Sequence, residues 1–286
     1  MRIVFYTAEH LLTSETSDTR YVHDGLARHF DVYSVFRPDA SQCLAADIVF
    51  CRFPKPVNTV FLHQLTGVGE KLIINNPSAQ LRFGTKRNLL RFPELTMPTL
   101  ISTSASEIAQ FAAEYGQIVF KPLDKHKGQG VQKIDSATLT RRGLEDLITG
   151  YTGKFGTPVV QPFFDSIRAV GDKRINIFRF EPVSAVVTLP PDGSFVCHEA
   201  AGGSTFPAEI TEHDASIIRE ILPFLREHDI WWAAIDVIGP YLSEINIATP
   251  SMIERADRAH ENTRGLDAIV TSIQAYQHEL GTLATT

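Results

Sequence analysis

The strongest local signal in the chain is the segment Asp236-Val237-Ile238-Gly239-Pro240-Tyr241-Leu242-Ser243-Glu244-Ile245-Asn246. Asp236 lies near the end of an apolar run, where burying a charge is costly. Glu244 and Asn246 stand two apart, so on a strand their side chains share one face. A hairpin turning at Gly239-Pro240 brings Asp236 across to them. Two carboxylates and an amide oxygen form a hard-oxygen set suited to Mg²⁺, an ion that keeps further positions for phosphate oxygens. Taken alone, the three residues equally suit the solvated polar face of an antiparallel sheet.

Lys121 closes an apolar strand, and Gly128-Gln129-Gly130 follows it. Backbone N–H groups of a glycine loop cradle phosphate, with a lysine as point charge; a surface loop carrying Lys125 and Lys127 is the plainer reading. Gln161-Pro162-Phe163-Phe164 has the composition of an adenine hinge, with backbone donors and acceptors between apolar walls, although in isolation it reads as core packing. Gly171-Asp172-Lys173-Arg174 enters a strand and in isolation reads as a solvated turn. G-x-x-x-x-G-K-[ST] is missing, and no G-x-G-x-x-G follows the first strand. A P-loop is excluded, and dinucleotide binding has no support. The ten histidines show no H-E-x-x-H and no pairing at metal spacing.

Short β-like runs at residues 3–6, 32–36, 47–53 and 72–75, with a helical pattern at 21–30, predict a parallel α/β layer over residues 1–78. Ser104 and Glu107 form a capping-box pattern ahead of a helix whose inner face carries Ile108, Phe111, Ala112 and Tyr115, with Gly116 as its stop. Strands follow at 118–122 and 158–164. The last third predicts strands at 174–180 and 183–189, with a turn at 190–193. A helix then starts at Thr211-x-x-Asp214 and is expected to kink at Pro223. Strands at 231–237 and 242–247 carry the acidic segment. A final helix has Leu266, Ile269, Ile273, Tyr276 and Leu280 as its core stripe.

Composition narrows the partners. Across 286 residues, 27 basic against 33 acidic side chains leave a net charge of −6. That is no electrostatic footprint for nucleic acid or an anionic membrane. No uncharged apolar run approaches a membrane span. The opening run reads as a buried strand rather than a signal peptide. Three cysteines without a C-x-x-C argue for a reducing compartment, with the cytoplasm as the expectation.

Taken in order, the pieces resemble the bacterial glutathione synthetases, which are ATP-grasp carboxylate–amine ligases. The resemblance rests on Asn75-Asn76-Pro77, Lys86, Lys121-Pro122-Leu123-Asp124, Gly128-x-Gly130, Gln161-x-Phe163-Phe164 and Gly171-Asp172-Lys173-Arg174. It continues through Ala200-Ala201-Gly202-Gly203, Asp236-Val237-Ile238-Gly239 and Glu244-Ile245-Asn246-x-x-x-Pro250. It runs from about residue 47 to 260. It implies an α/β (α+β) ATP-grasp fold in three parts: an N-terminal open parallel-sheet domain at 1–78, a central α+β part at 79–160 with a mobile phosphate loop, and a C-terminal ATP- and metal-binding part at 161–286. The resemblance assigns Lys86 and Lys121 to the ATP phosphates, with Gly128, Gln129 and Gly130 in the loop that closes over them. It assigns Gln161, Phe163 and Phe164 to the adenine hinge, Asp172 to the ribose, and Arg174 to a substrate carboxylate. Asp236, Glu244 and Asn246 match the ligands of Mg²⁺ (or Mn²⁺).

The implied activity is ATP-dependent amide or peptide bond formation through an acyl phosphate, with Lys121 and Arg174 in the catalytic set. Small carboxylates and amines are the expected partners, without nucleic acid or membrane, and a homo-oligomer is compatible with the resemblance. The family places an arginine where Thr188 stands and another where Val196 stands, both on the substrate side; Cys197, His198 and Glu199 follow the second. The N-terminal part is shortened, so ATP and metal positions are kept while substrate positions differ. A reading of another class is an ATP-binding regulatory or scaffold protein of the same fold.

Overall fold

The computed structural model describes residues 1–15, 17–36, 40–53, 59–69, 71–125 and 128–283. His126 and Lys127, in the expected phosphate loop, lie outside them. The first apolar runs form β1 (Arg2–Thr7), β2 (Asp31–Val35), β3 (Ile48–Arg52) and β4 (Leu72–Ile74), all parallel in the order β2-β1-β3-β4. β3 is buried at every position, as a parallel strand covered on both faces must be. Helices α1 (His10–Thr13), α2 (Asp18–Ala27), α3 (Thr59–Leu65) and α4 (Pro77–Phe83) accompany this sheet.

The central sheet is antiparallel, β5 (Leu100–Ile101), β6 (Gln117–Pro122), β7 (Gln132–Asp135) and β8 (Pro158–Pro162), in the order β5-β8-β6-β7. Ile118, Phe120 and Val160 face α5 (Ala105–Tyr115) and α6 (Arg141–Phe155) in a core of their own. The Ser104 box is only half made. Ser104 Oγ caps the Glu107 amide, but the Glu107 carboxylate takes the Ser102 hydroxyl instead of returning to the Ser104 amide.

After α7 (Ile167–Val170) comes a five-stranded antiparallel sheet, β11-β10-β9-β12-β13. Its strands are β9 (Asp172–Phe178), β10 (Glu181–Leu189), β11 (Ser204–Pro207), β12 (Trp232–Ile238) and β13 (Tyr241–Asn246). β9 is as long as the sequence pattern indicates but lies two residues earlier, starting at Asp172 and ending at Phe178. Arg179 and Phe180 form its turn, both at positive φ (48° and 70°), without a glycine to announce it. One face packs on α8 (Glu212–Glu227), which buries Ile217, Ile218, Ile221 and Leu225. The Thr211–Asp214 capping box is complete, and α8 continues through Pro223.

Helices α9 (Ile253–Ala259) and α10 (Arg264–Leu283) follow. α10 returns to the first sheet: Leu266, Ile269 and Ile273 pack with Ile3, Phe5 and Phe50 and with Phe178 and Trp232 of the last sheet. Leu280, expected in that stripe, is exposed. Among the described residues no helix is long and apolar enough to cross a membrane.

Candidate functional site

Strand alternation divides β9 cleanly. Ile175 and Ile177 face α8, whereas Asp172, Arg174, Asn176 and Phe178 point the other way. Along that second face the residues run from apolar to charged. Phe178 joins the core shared with the first sheet, and Asn176 bonds Trp232 Nε1 at 3.1 Å. Arg174 and Asp172 reach a cavity of about 160 Å³ between the central and last sheets. Register then lays Arg174, Asp236 and Glu244 side by side across β9, β12 and β13.

Arg174 Nε and Nη2 both donate to the Asp236 carboxylate at 2.7 Å, a bidentate pair, and Nη1 donates to Ser251 Oγ at 3.2 Å. The acidic strip is thus no solvated face, since Asp236 is 4% exposed. A bulge adds a group that alternation hides. Asp236 pairs with Glu244 but Val237 pairs with Leu242, leaving one extra residue on β13. Leu242 and Ile245 both stay in the core, so Ser243 and Glu244 both line the cavity.

Lys121 and Lys86 converge from the other side. Lys121 Nζ donates to Ser243 Oγ at 3.3 Å, and Lys86 Nζ lies 3.2 Å from Glu244 Oε1 while donating to Lys125 O at 2.8 Å. Lys86 comes from a 3₁₀ turn at Lys86–Arg91, buried to 8% exposure. Gly128 (φ +69°) and Gln129 line the cavity. A Cβ on Gly128 would stand 2.4 Å from Val196 Cγ1, so the loop lies against the 195–198 segment. Gly130 (φ +71°) faces Pro122 and Phe155 instead, away from the cavity wall.

Phe163 and Phe164 line the opposite end, with Met97, Val119 and Ile238. The Phe163 N–H donates to Gln117 O at 2.8 Å. Gln161 is paired with Val119, but its amide donates to Thr99 Oγ1 at 2.9 Å and it does not line the cavity. Asn246, two residues beyond Glu244, is buried outside the cavity wall. The site therefore gathers Lys86, Lys121, Gly128, Gln129, Phe163, Phe164, Asp172, Arg174, Asp236 and Glu244. It leaves Gln161, Gly130 and Asn246 beside it. Sequence reasoning missed Ser243.

Burial, then the Asp236 charge, pushes the Asp172 carboxyl well above its usual range. Its Oδ1 is buried and has no hydrogen-bond partner among the described residues. Burial lowers the Lys121 ammonium against the pull of Asp172, with Lys86 adding to the fall. Burial works against the charged Arg174, but Asp236 outweighs it and holds the guanidinium above its ordinary value. The Cys197 thiol is pushed up to about 12 by burial and the Asp172 charge, which leaves it protonated and a poor nucleophile near neutrality. Carboxylates crowded beside an orphaned buried oxygen fit a hard cation and a hydroxyl donor. Among the described residues no three acidic, histidine or cysteine side chains form a complete metal cage. The donor set thus suits an ion that draws its other ligands from phosphate and water.

A family model described as the prokaryotic glutathione synthetase ATP-grasp domain matches residues 85–261. Glutathione synthetase of Prochlorococcus marinus (strain MIT 9313) is 35% identical over 216 residues, covering 73% of this chain and 69% of that one. The Agrobacterium fabrum (strain C58 / ATCC 33970) glutathione synthetase is 32% identical over 262 residues, 88% of this chain and 80% of its own. Among solved structures, D-cycloserine synthetase DcsG superposes with a TM-score of 0.72 at 16% identity, over 95% of this chain and 99% of that one. D-alanine–D-alanine ligase of Bacillus anthracis does so at 0.62 and 13% identity, over 98% and 99%.

Proposed function

We propose, for a chain that belongs to the prokaryotic glutathione synthetase ATP-grasp family and is thereby an ADP-forming ligase using ATP and Mg²⁺, that it joins a carboxylate to the amine of an amino acid or small peptide through an acyl phosphate. The observation that carries this reading is the cross-strand row Arg174, Asp236, Glu244, opening on the same cavity as Lys86 and Lys121.

A carboxylate is a poor electrophile because oxide leaves badly, and phosphorylation replaces oxide with phosphate. Lys86, buried, and Lys121, half-buried, bring positive charge to the phosphate oxygens where electrostatics are strong. Gly128 and Gln129 bring backbone N–H groups to the same oxygens. Asp236 and Glu244, with Asn246 behind them, would hold Mg²⁺. That ion, when bound, neutralises charge between the β- and γ-phosphates. Asp172, its carboxyl raised and one oxygen unpartnered, takes a ribose hydroxyl. Phe164 N–H and Pro162 C=O meet the adenine edge between the walls of Met97 and Ile238. The loop lying against Val196 excludes water, which otherwise hydrolyses the acyl phosphate. Arg174 orders Asp236 and meets the substrate carboxylate at the cavity wall. No covalent nucleophile of the chain is needed.

The test is interception. Hydroxylamine added to a turning-over mixture of acids and amines converts an acyl phosphate to a hydroxamate with ADP as co-product, read by mass spectrometry. AMP and pyrophosphate instead of ADP would overturn the mechanism.

A further inference from the structure

On the ligase reading above, we infer that Glu199 and Arg255 form the seat for a substrate's free α-amino acid head group. The guanidinium takes the carboxylate, and Glu199 takes the ammonium. A second, smaller cavity, about 40 Å³, opens beside the first, and the two share Asp172, Arg174, Asp236, Cys197 and His198. A molecule in it therefore abuts the acidic row. Thr188, Glu199, Met252 and Arg255 complete its wall, and neither Glu199 nor Arg255 lines the first cavity.

The two arginines there are in different states. The Nε, Nη1 and Nη2 donors of Arg174 serve Asp236 and Ser251. Arg255 Nη2 lies 2.7 Å from Glu199 Oε2. Yet no Arg255 N–H makes an aligned hydrogen bond among the described residues, so its planar fork remains available to a carboxylate. Both side chains are about one third exposed, 32% and 33%.

Both groups sit on fixed backbone. Thr205 Oγ1 donates to Glu199 Oε1 at 2.9 Å. Asp18 of α2 accepts from the Met252 and Glu254 amides at 2.8 and 3.0 Å, anchoring the start of α9. Arg174 and Arg255 stand in this wall with Asp236, Glu199 and Asp172, so it carries no excess of positive charge. A head group of no net charge, with ammonium and carboxylate one carbon apart, matches that pattern; a dianion does not. The reacting end of the substrate then points toward Arg174 and Asp236.

The experiment is isothermal titration of the ADP·Mg²⁺-loaded protein with the twenty common amino acids singly, followed by the N-acetyl and α-amide derivatives of those that bind. Blocking either end is expected to weaken binding at least tenfold. Arg255→Leu and Glu199→Gln should do the same to the free amino acid, while ADP affinity and melting temperature stay at wild-type values, and Arg255→Lys should recover part of the loss. Where Arg255→Leu fails to fold, Glu199→Gln decides. Absence of amino acid binding, equal binding of blocked forms, or variants that bind as wild type would each overturn the inference. ADP formation with acid and amine pairs is scored separately: turnover without this selectivity overturns the head-group seat alone, and amino acid binding without ADP formation overturns the ligase reading alone.

Discussion

Ser243 shows how a single residue enters a site unannounced. Alternation from the buried Leu242 puts residue 243 on the cavity side and 244 in the core, yet both reach the cavity because the bulge absorbs one position. Its hydroxyl accepts from Lys121. At 3.3 Å this is a weak charge-assisted bond, about 1 kcal/mol. Ser243→Ala should therefore raise KM for ATP about fivefold with an unchanged melting temperature, and an unaltered KM in steady-state kinetics would remove Ser243 from the Lys121 setting. Asp236 and Glu244 were legible because a hairpin turn and a two-residue spacing define a shared face. Arg255 was not, since it lies past the motif among other helical charges, Glu254 and Arg258, and only the fold shows it beside Glu199. Thr188 and Val196 bear on specificity. Thr188 pairs with Thr205 and Val196 packs on Gly128, so neither offers the cation that the family resemblance places there. Losing two charge-assisted bonds at about 1.5–3 kcal/mol each predicts at least about a hundredfold lower kcat/KM with γ-glutamylcysteine and glycine than with the preferred pair. Kinetics across a panel of acids and amines check this, and a glutathione pair that beat every other would refute it.

Among the elements, α8 carries the clearest local code. Thr211 and Asp214 cap each other, and Asp214 Oδ2 also accepts from Lys173 Nζ of β9 at 2.7 Å, so one carboxylate ties the helix start to the sheet. Burial alone would raise this carboxyl; Lys173 and the Thr211 donors outweigh it and hold it below its ordinary 3.8. A depressed folded value means that the unfolded chain binds the proton more readily. The stabilisation is therefore full above pH 3.8 and lost as pH falls through the folded value. Asp214→Asn should cost about 1.5–3 kcal/mol at pH 7 and lose less stability than wild type between pH 4 and pH 3. Urea unfolding at the two pH values reads both, and equal acid slopes would show that Asp214 titrates alike in both states. This cap was readable as T-x-x-D. The Ser104 pattern was equally readable yet only half realised, because a second serine, Ser102, competes for the Glu107 carboxylate. The Arg179-Phe180 turn was hidden for a related reason: Phe180 favours a strand and Arg179 carries no turn signal, and tertiary pairing with β10 imposes the positive φ.

At the scale of the whole molecule, the three sheets are not three equal cores. The first and last share one: Phe50 stacks 6.5 Å from Phe178, Arg52 lies 4.1 Å over Trp232, and α10 covers both. Asn75 fastens the same junction. Its Nδ2 donates to Trp232 O and Ile247 O, and its Oδ1 accepts from the Trp232 amide. The central sheet instead packs on α5 and α6 in a separate cluster, and it meets the last sheet largely across the cavity. The resemblance set the boundaries at 1–78 and 161–286 by chain order, and chain order does not reveal that α10 folds back onto β1 and β3. Units that share a core open together, and a unit with its own core opens alone at lower cost. Amides of α5, α6 and β6 should therefore exchange through a sub-global opening, while those of β1, β3, β9 and β12 exchange together at the global rate. On the proposed reading, nucleotide bridges Phe163, Phe164 and Lys121 of the central unit to Asp172 and Glu244 of the other, so any opening that separates the two units releases it. At a hundredfold excess over its dissociation constant, ADP·Mg²⁺ contributes about 2.7 kcal/mol. Exchange of the central amides should slow about a hundredfold, and global exchange of β1 and β3 should slow by a similar factor, because the globally unfolded chain binds no nucleotide either. Hydrogen exchange by mass spectrometry, with and without ADP·Mg²⁺, measures both. Uniform protection across all three sheets, unmoved by nucleotide, would show one cooperative unit and place the binding site elsewhere than between the central and last sheets.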